Sequence, residues 1–294
     1  MTQLDLFLDS RAVMLANEVA DRLVARDARG AGSALAALER EDPAHPAAAA
    51  LRILVQFASD WDLPAEQPSD IARAAARLEE HIAPAAAHLL KERARAFVRP
   101  YYLELAAAAA TLPYDPGYPR AHPAFLLQQA GDFAASESAV LKMPAWERTP
   151  DALRWLTLAR HRLRGLAVAR ATLFALCWSA PARAAGLVGE LADEALQRDW
   201  DAFVASDWSA TPDPEVPAWF AAWYLIQHPA AAGDLELASC CPGAASDAAR
   251  LVARILDRER EGNSTALVHL RRRLRDLNGD LFALYMQRRT VFHR

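Results

Sequence analysis

Over residues 10–27 the apolar side chains Val13, Met14, Val19, Leu23 and Val24 recur at helical spacing, with Asp9 or Ser10 placed to cap the first turn. A second helix is predicted over 30–41 after a very short turn. Asp42-Pro43-Ala44-His45-Pro46 stops it, because proline lacks the amide donor and its ring clashes with the preceding turn, and a third helix restarts over 47–58. The same alternation returns in mid-chain, where Gly131-Asp132-Phe133-Ala134-Ala135 and Gly165-Leu166-Ala167-Val168-Ala169 each join two helical segments. Between these blocks the pattern predicts helices near 69–81, 84–98 and 100–112. Residues 113–123 are dense in turn formers and are expected to divide an N-terminal half, 9–112, from a C-terminal half, 123–294, with a soft boundary at 113–122. A second break, 206–217, carries three prolines and two aspartates, and helices over 217–227, 244–261, 264–278 and 280–289 follow it.

Gly131 and Gly165 lie 34 positions apart, and the spacing of Gly165, Ala169 and Pro181 is matched by Asp27, Ala31 and Pro43. A small residue at the turn and another one helical turn later let two helices pack closely, while proline ends the second helix. The pattern resembles the tetratricopeptide-like superfamily, although most aromatic positions of that family's consensus are missing and the Pro144 and Pro150 pair around Trp146 makes an irregular linker. The resemblance implies an all-α fold, a right-handed array of antiparallel helical hairpins forming a tetratricopeptide-like α-solenoid, degenerate in its repeats, and it implies binding rather than catalysis.

Composition narrows this picture. The 294 residues are 53% hydrophobic and 24% charged, an ordinary globular balance, and the apolar share is dominated by alanine, the best helix former. The Ala-rich runs are interrupted by Arg, Glu or Pro, so no membrane span is expected, and Asp5 and Asp9 stand where a secretory leader would be basic and then apolar. A cytoplasmic location is the expectation. Three cysteines, Cys177 and the adjacent Cys240 and Cys241, suit a reducing compartment, because neighbouring cysteines hold their sulfurs in poor geometry for a disulfide. Net charge is −4, but from Arg250 onward eleven arginines face five acids, so the C-terminal end is basic.

The sharpest lead is Gln3-Leu4-Asp5-Leu6-Phe7. It resembles the short peptide by which bacterial polymerases, mismatch-repair and replication-control proteins dock on the DNA sliding clamp: Gln-Leu, then Ser or Asp, then Leu-Phe. All five positions match. The resemblance implies an extended peptide whose Gln3 bonds the groove edge, whose Leu4 fills a shallow subsite and whose Leu6 and Phe7 enter a deep apolar pocket, with residues 1–8 as a docking segment. The other reading is an apolar lead-in packed on the first hairpin, with Phe7 as a staple before the capped helix.

Two further constellations carry chemistry. Trp219 and Trp223, with Phe220 and Tyr224 on the adjoining face, could line a peptide groove of a chaperone or assembly factor, or fill the core. Arg271, Arg272, Arg273 and Arg275 could contact phosphate backbones of nucleic acid, or form a solvated face opposite Leu267, Leu270, Leu274 and Leu277. His81, His88, Glu79 and Glu80 lack a second ligand pair, so no metal and no cofactor is expected. The chain has no Gly-rich phosphate loop, Gly-x-Ser-x-Gly elbow or His-Glu-x-x-His helix, which leaves an enzyme only with a dispersed site.

Overall fold

The computed structural model describes residues 3–62, 67–209, 211–261 and 264–292, with side chains described over 11–62, 67–209, 211–261 and 267–289. Among the described residues there are helices and turns and no strand. The chain divides into two compact units, Met1–Asp132 and Phe133–Arg294, each with its own hydrophobic core.

The first unit runs α1 (Gln3–Val24), α2 (Ala28–Glu41), α3 (Ala48–Ser59), α4 (Pro68–Arg77), a π-helical turn Leu78–Ile82, α5 (Ala83–Leu90), a 3₁₀ turn Lys91–Arg93, α6 (Ala94–Ala109), a 3₁₀ turn Pro119–Ala121 and α7 (Pro123–Gln129). Asp27 caps α2, accepting a hydrogen bond from the Gly30 amide at 2.8 Å, as its place in the turn suggests. Successive helices pack in pairs, but α1 also meets α3 and α6, contacts beyond those of a strictly linear stack. At the centre Phe57 and Trp61 stand against Phe97 and Tyr101 with centroids 4.9–6.5 Å apart.

Two prolines act differently from expectation. Pro84 follows the π-helical turn without ending the helical path, and Pro100 lies inside α6 rather than starting a helix. Burial of Phe97, Tyr101, Tyr102 and Leu105 on one side of α6 offsets the lost amide bond. The break that does occur is at Lys91, at φ 50°.

The segment 113–123, expected at a domain boundary, lies within the first unit and folds back on α4. Asp115 Oδ1 accepts from the Gly117 amide at 2.8 Å, Ala121 is buried, and Arg120 reaches Glu80 at 3.1 Å and Glu79 at 3.5 Å. Those two acids thereby hold the segment down by charge.

The second unit runs α8 (Phe133–Leu141), a 3₁₀ turn Trp146–Arg148, α9 (Pro150–Arg164), α10 (Leu166–Ser179), α11 (Pro181–Leu191), α12 (Glu194–Val204), a 3₁₀ stretch Asp213–Trp219, α13 (Phe220–Gln227), a 3₁₀ stretch Pro229–Ser239, α14 (Ala244–Arg260), α15 (Ser264–Leu277) and α16 (Gly279–Phe292). Gly165 turns α9 directly into α10 at φ 80° and ψ −178°, a conformation essentially confined to glycine. The two helices then pack closely, and their dry interface carries a hydroxyl pair, Thr157 Oγ1 donating to Thr172 Oγ1 at 2.9 Å. Arg26, Ala145 and Ala192, like Lys91, take positive φ at turns between helices.

Candidate functional site

The pentapeptide Gln3-Leu4-Asp5-Leu6-Phe7 lies outside the residues whose side chains are described. Immediately after it, on α1, Val13 and Met14 are 52% and 69% exposed, while Ala12, Val19, Ala20 and Leu23 form the buried side. The backbone of Gln3–Phe7 forms the first turns of α1 rather than the extended segment that the resemblance implies, and an apolar surface is open further along the same helix.

The aromatic quartet lines no groove. Trp219, Phe220, Trp223 and Tyr224 are 7%, 0%, 4% and 5% exposed, and they belong to the core of the second unit. Phe220 is the hub: Phe174, Trp200, Phe203, Trp223 and Tyr224 surround it at centroid distances of 4.8–6.3 Å. The physical reason is volume. Small buried residues on the surrounding helices, such as Ala171 and Ala175 of α10 and Ala184 of α11, leave gaps, and large rings fill them, so the aromatic-lined groove expected as one reading is replaced by packing.

The arginines of α15 separate by direction. Arg271 Nη2 donates to Glu259 Oε1 at 2.7 Å and its Nε donates to the Tyr285 hydroxyl at 2.8 Å. Tyr285 also donates to Glu259, and Arg289 approaches the same carboxylate at 3.0 Å. Burial first, and then the hydrogen bond to Glu259, push the Tyr285 hydroxyl up to about 12. Arg272, Arg273 and Arg275 are exposed, opposite the buried Leu267, Leu270 and Leu274, as the solvated-face pattern anticipates.

The second unit also contains a cleft of about 480 Å³, floored by Ala167, Val168 and Ala171 of α10. One wall is Glu137 of α8 held by Arg160 and Arg164 of α9, at 3.1 and 2.6 Å; the other is Gly233, Asp234 and Glu236. Burial opposes ionisation of Glu137, but hydrogen bonds from Arg164 and Arg160 outweigh it and hold the carboxyl below its ordinary value. Arg170 ties Asp234 down at 2.5 Å and lies over the Tyr224 ring. The lining offers charge of both signs, with carboxylates of Glu137, Asp234 and Glu236 facing the guanidinium groups of Arg160 and Arg164, a setting for polar groups. Sequence reasoning missed this cluster because Glu137 and Arg160 are 23 residues apart on separate helices, and no local pattern joins them.

Histidines take structural posts. His122 Nδ1 accepts from the Ala124 amide at 3.2 Å at the start of α7, and burial pulls its pKa down to about 4. His161 Nε2 lies 3.1 Å from Asp193, which caps α12, and His228 lies 3.0 Å from Asp199. Among the described residues no group of three or more His, Cys, Asp or Glu is placed to hold a metal ion, and no helix is long and apolar enough to cross a membrane. Cys177 and Cys241 are buried and Cys240 half-buried, all three as free thiols.

No protein-family model matches the chain, no curated protein matches it, and no solved structure matches its fold.

Proposed function

We propose that this protein is a non-catalytic interaction scaffold, a degenerate helical-repeat protein that docks on the bacterial DNA sliding clamp through Gln3-Leu4-Asp5-Leu6-Phe7. The observation that carries the reading is the five-position match of that peptide to the clamp-docking pattern. Val13 and Met14, further along the same helix, are exposed and leave apolar surface there for a partner. Burial of Trp219 and Trp223 counts against the competing reading, a chaperone with an aromatic-lined groove. The mechanism is tethering: a peptide of modest affinity concentrates the scaffold, and whatever it carries, at the clamp.

Binding of the full chain to a purified bacterial clamp, measured by biolayer interferometry, tests this. Leu6→Ala combined with Phe7→Ala removes two apolar anchors and is expected to weaken binding by about 100-fold or more. Competition by an established clamp-docking peptide is expected to displace the chain. Binding that survives the double substitution, or no binding at all by the wild-type chain, refutes the reading.

A further inference from the structure

The positive charge at the C-terminal end is not evenly compensated. On α14, Arg250, Arg258 and Arg260 each pair with an acid three residues away, Asp247, Glu261 and Asp257. On α15, Arg271 turns inward to Glu259. Arg272 and Arg273 are exposed and have no carboxylate partner among the described residues, and Arg275 meets only Asp276, its own neighbour, at 3.8 Å with both side chains 60% exposed. Pairs this open to water, on α14 as well as here, neutralise little, so what sets α15 apart is two adjacent exposed arginines, Arg272 and Arg273, with no ion pair among the described residues. The opposite face of α15, Leu267, Leu270 and Leu274, is locked in the core, so these guanidinium groups cannot turn inward.

We propose that the solvent side of α15 binds the phosphate backbone of duplex DNA, with Arg272, Arg273 and Arg275, which fan over about 160° of the helix surface around Asp276, each neutralising a phosphate. Along one strand of duplex DNA a phosphate follows every ~3.4 Å of axis, and the long arginine side chains that fan out from a single turn of α15 can reach several successive ones. A lipid surface fits less well, since an interfacial helix must bury its apolar face in the membrane and that face of α15 is already committed to the core. Single strands fit less well too, because the described exposed positions of α15 carry no Trp, Tyr or Phe on which bases would stack. The contact is independent of the pentapeptide.

The test is fluorescence anisotropy of the full chain with a labelled duplex of about 20 base pairs, across roughly 25–200 mM KCl. Three contacts predict a log–log salt slope of about −2.7. Arg272→Glu with Arg273→Glu is expected to weaken binding at least about tenfold at low salt and to bring the slope to about −1. The control pair Arg250→Glu with Arg258→Glu makes the same change in net charge on α14 and is expected to leave the slope unchanged. Circular dichroism confirms that each variant is folded. Absence of binding at the lowest salt, an equal loss in the α14 control, or tighter binding to polyglutamate or to vesicles with about one-third anionic lipid than to duplex would overturn the proposal. The Leu6→Ala and Phe7→Ala variant is expected to bind duplex normally, so failure of clamp docking and failure of this contact are told apart.

Discussion

The first unit contains one tryptophan and four tyrosines; the second contains seven tryptophans and two tyrosines. Both use rings to fill the spaces that alanine-rich helices leave, yet they finish the ring cluster differently. In the first unit Arg26 lies 4.9 Å over Tyr101 and pairs with Glu104, whose other oxygen accepts from Trp61 Nε1 at 2.8 Å, so one carboxylate ties α6 to the α1–α2 turn and to the ring cluster. In the second, Phe220 is enclosed by rings on all sides and polar tethering is confined to the edge, where Arg170 bridges Asp234 and Tyr224. The contrast teaches that aromatic richness here marks interior volume. The first cluster is tied by a shared carboxylate, whereas the second rests mainly on packing, with Trp208 Nε1 donating to the Phe203 carbonyl at 2.8 Å as its buried tether.

The strongest attack on that contrast is Phe220→Ala. Loss of a fully buried hub ring is expected to cost the second unit about 3–5 kcal/mol, read by urea unfolding followed through tryptophan fluorescence, which seven of eight tryptophans place in that unit. A cost below about 1 kcal/mol would show that the quartet is not core after all.

Acid should single out the first unit. The pKa of His122 is lowered in the folded chain, to about 4 against an ordinary value near 6.5, so its contribution is complete above about pH 6.5 and is lost as pH falls toward 4. A loss of about 1–3 kcal/mol over that window is expected, absent in His122→Asn, which keeps a cap without a titrating ring. Circular dichroism of both chains against pH decides it.

Two turn glycines at positive φ offer a smaller test. Gly165→Ala is expected to cost about 1–3 kcal/mol although no atom lies within 4 Å of the added carbon, because the backbone angles alone forbid it. At Gly131, also at positive φ, the added carbon would in addition displace the Arg95 guanidinium, so Gly131→Ala should cost at least as much. The reverse sign is expected at Gly186, inside α11 with open space around it: Gly186→Ala should stabilise by about 0.5–1 kcal/mol. Differential scanning calorimetry orders all three.

What could be read beforehand follows the range of the interaction. Helices at 30–41, 47–58, 244–261 and 264–278 were legible because periodicity and Pro, Gly or Asp punctuation act within a few residues, and α2, α3, α14 and α15 fall within two residues of those bounds. Pro100 misled because a proline's local cost is outweighed by burial of residues that only the folded unit brings together. Residues 113–123 read as a spacer because the carboxylates that anchor Arg120 stand some 40 positions earlier. For the candidate sites, the buried stripe of α15 was visible in its leucine spacing, whereas the inward turn of Arg271 depends on Glu259 and Tyr285 from two other helices. Whether Trp219 and Trp223 faced a groove or the interior was open for the same reason: helical spacing assigns residues to a face and does not say what covers it.

The left-handed residues at the turns bear on how this protein can change. Arg26 is fixed there by its hold on Glu104, but Lys91, Ala145 and Ala192 adopt positive φ with side chains that such a backbone disfavours. Each keeps up to about 1 kcal/mol in reserve that a single change to glycine could release. A lineage or a designer therefore finds mutational headroom at these three joints, able to absorb a damaging substitution elsewhere while the helices they connect keep every contact they have.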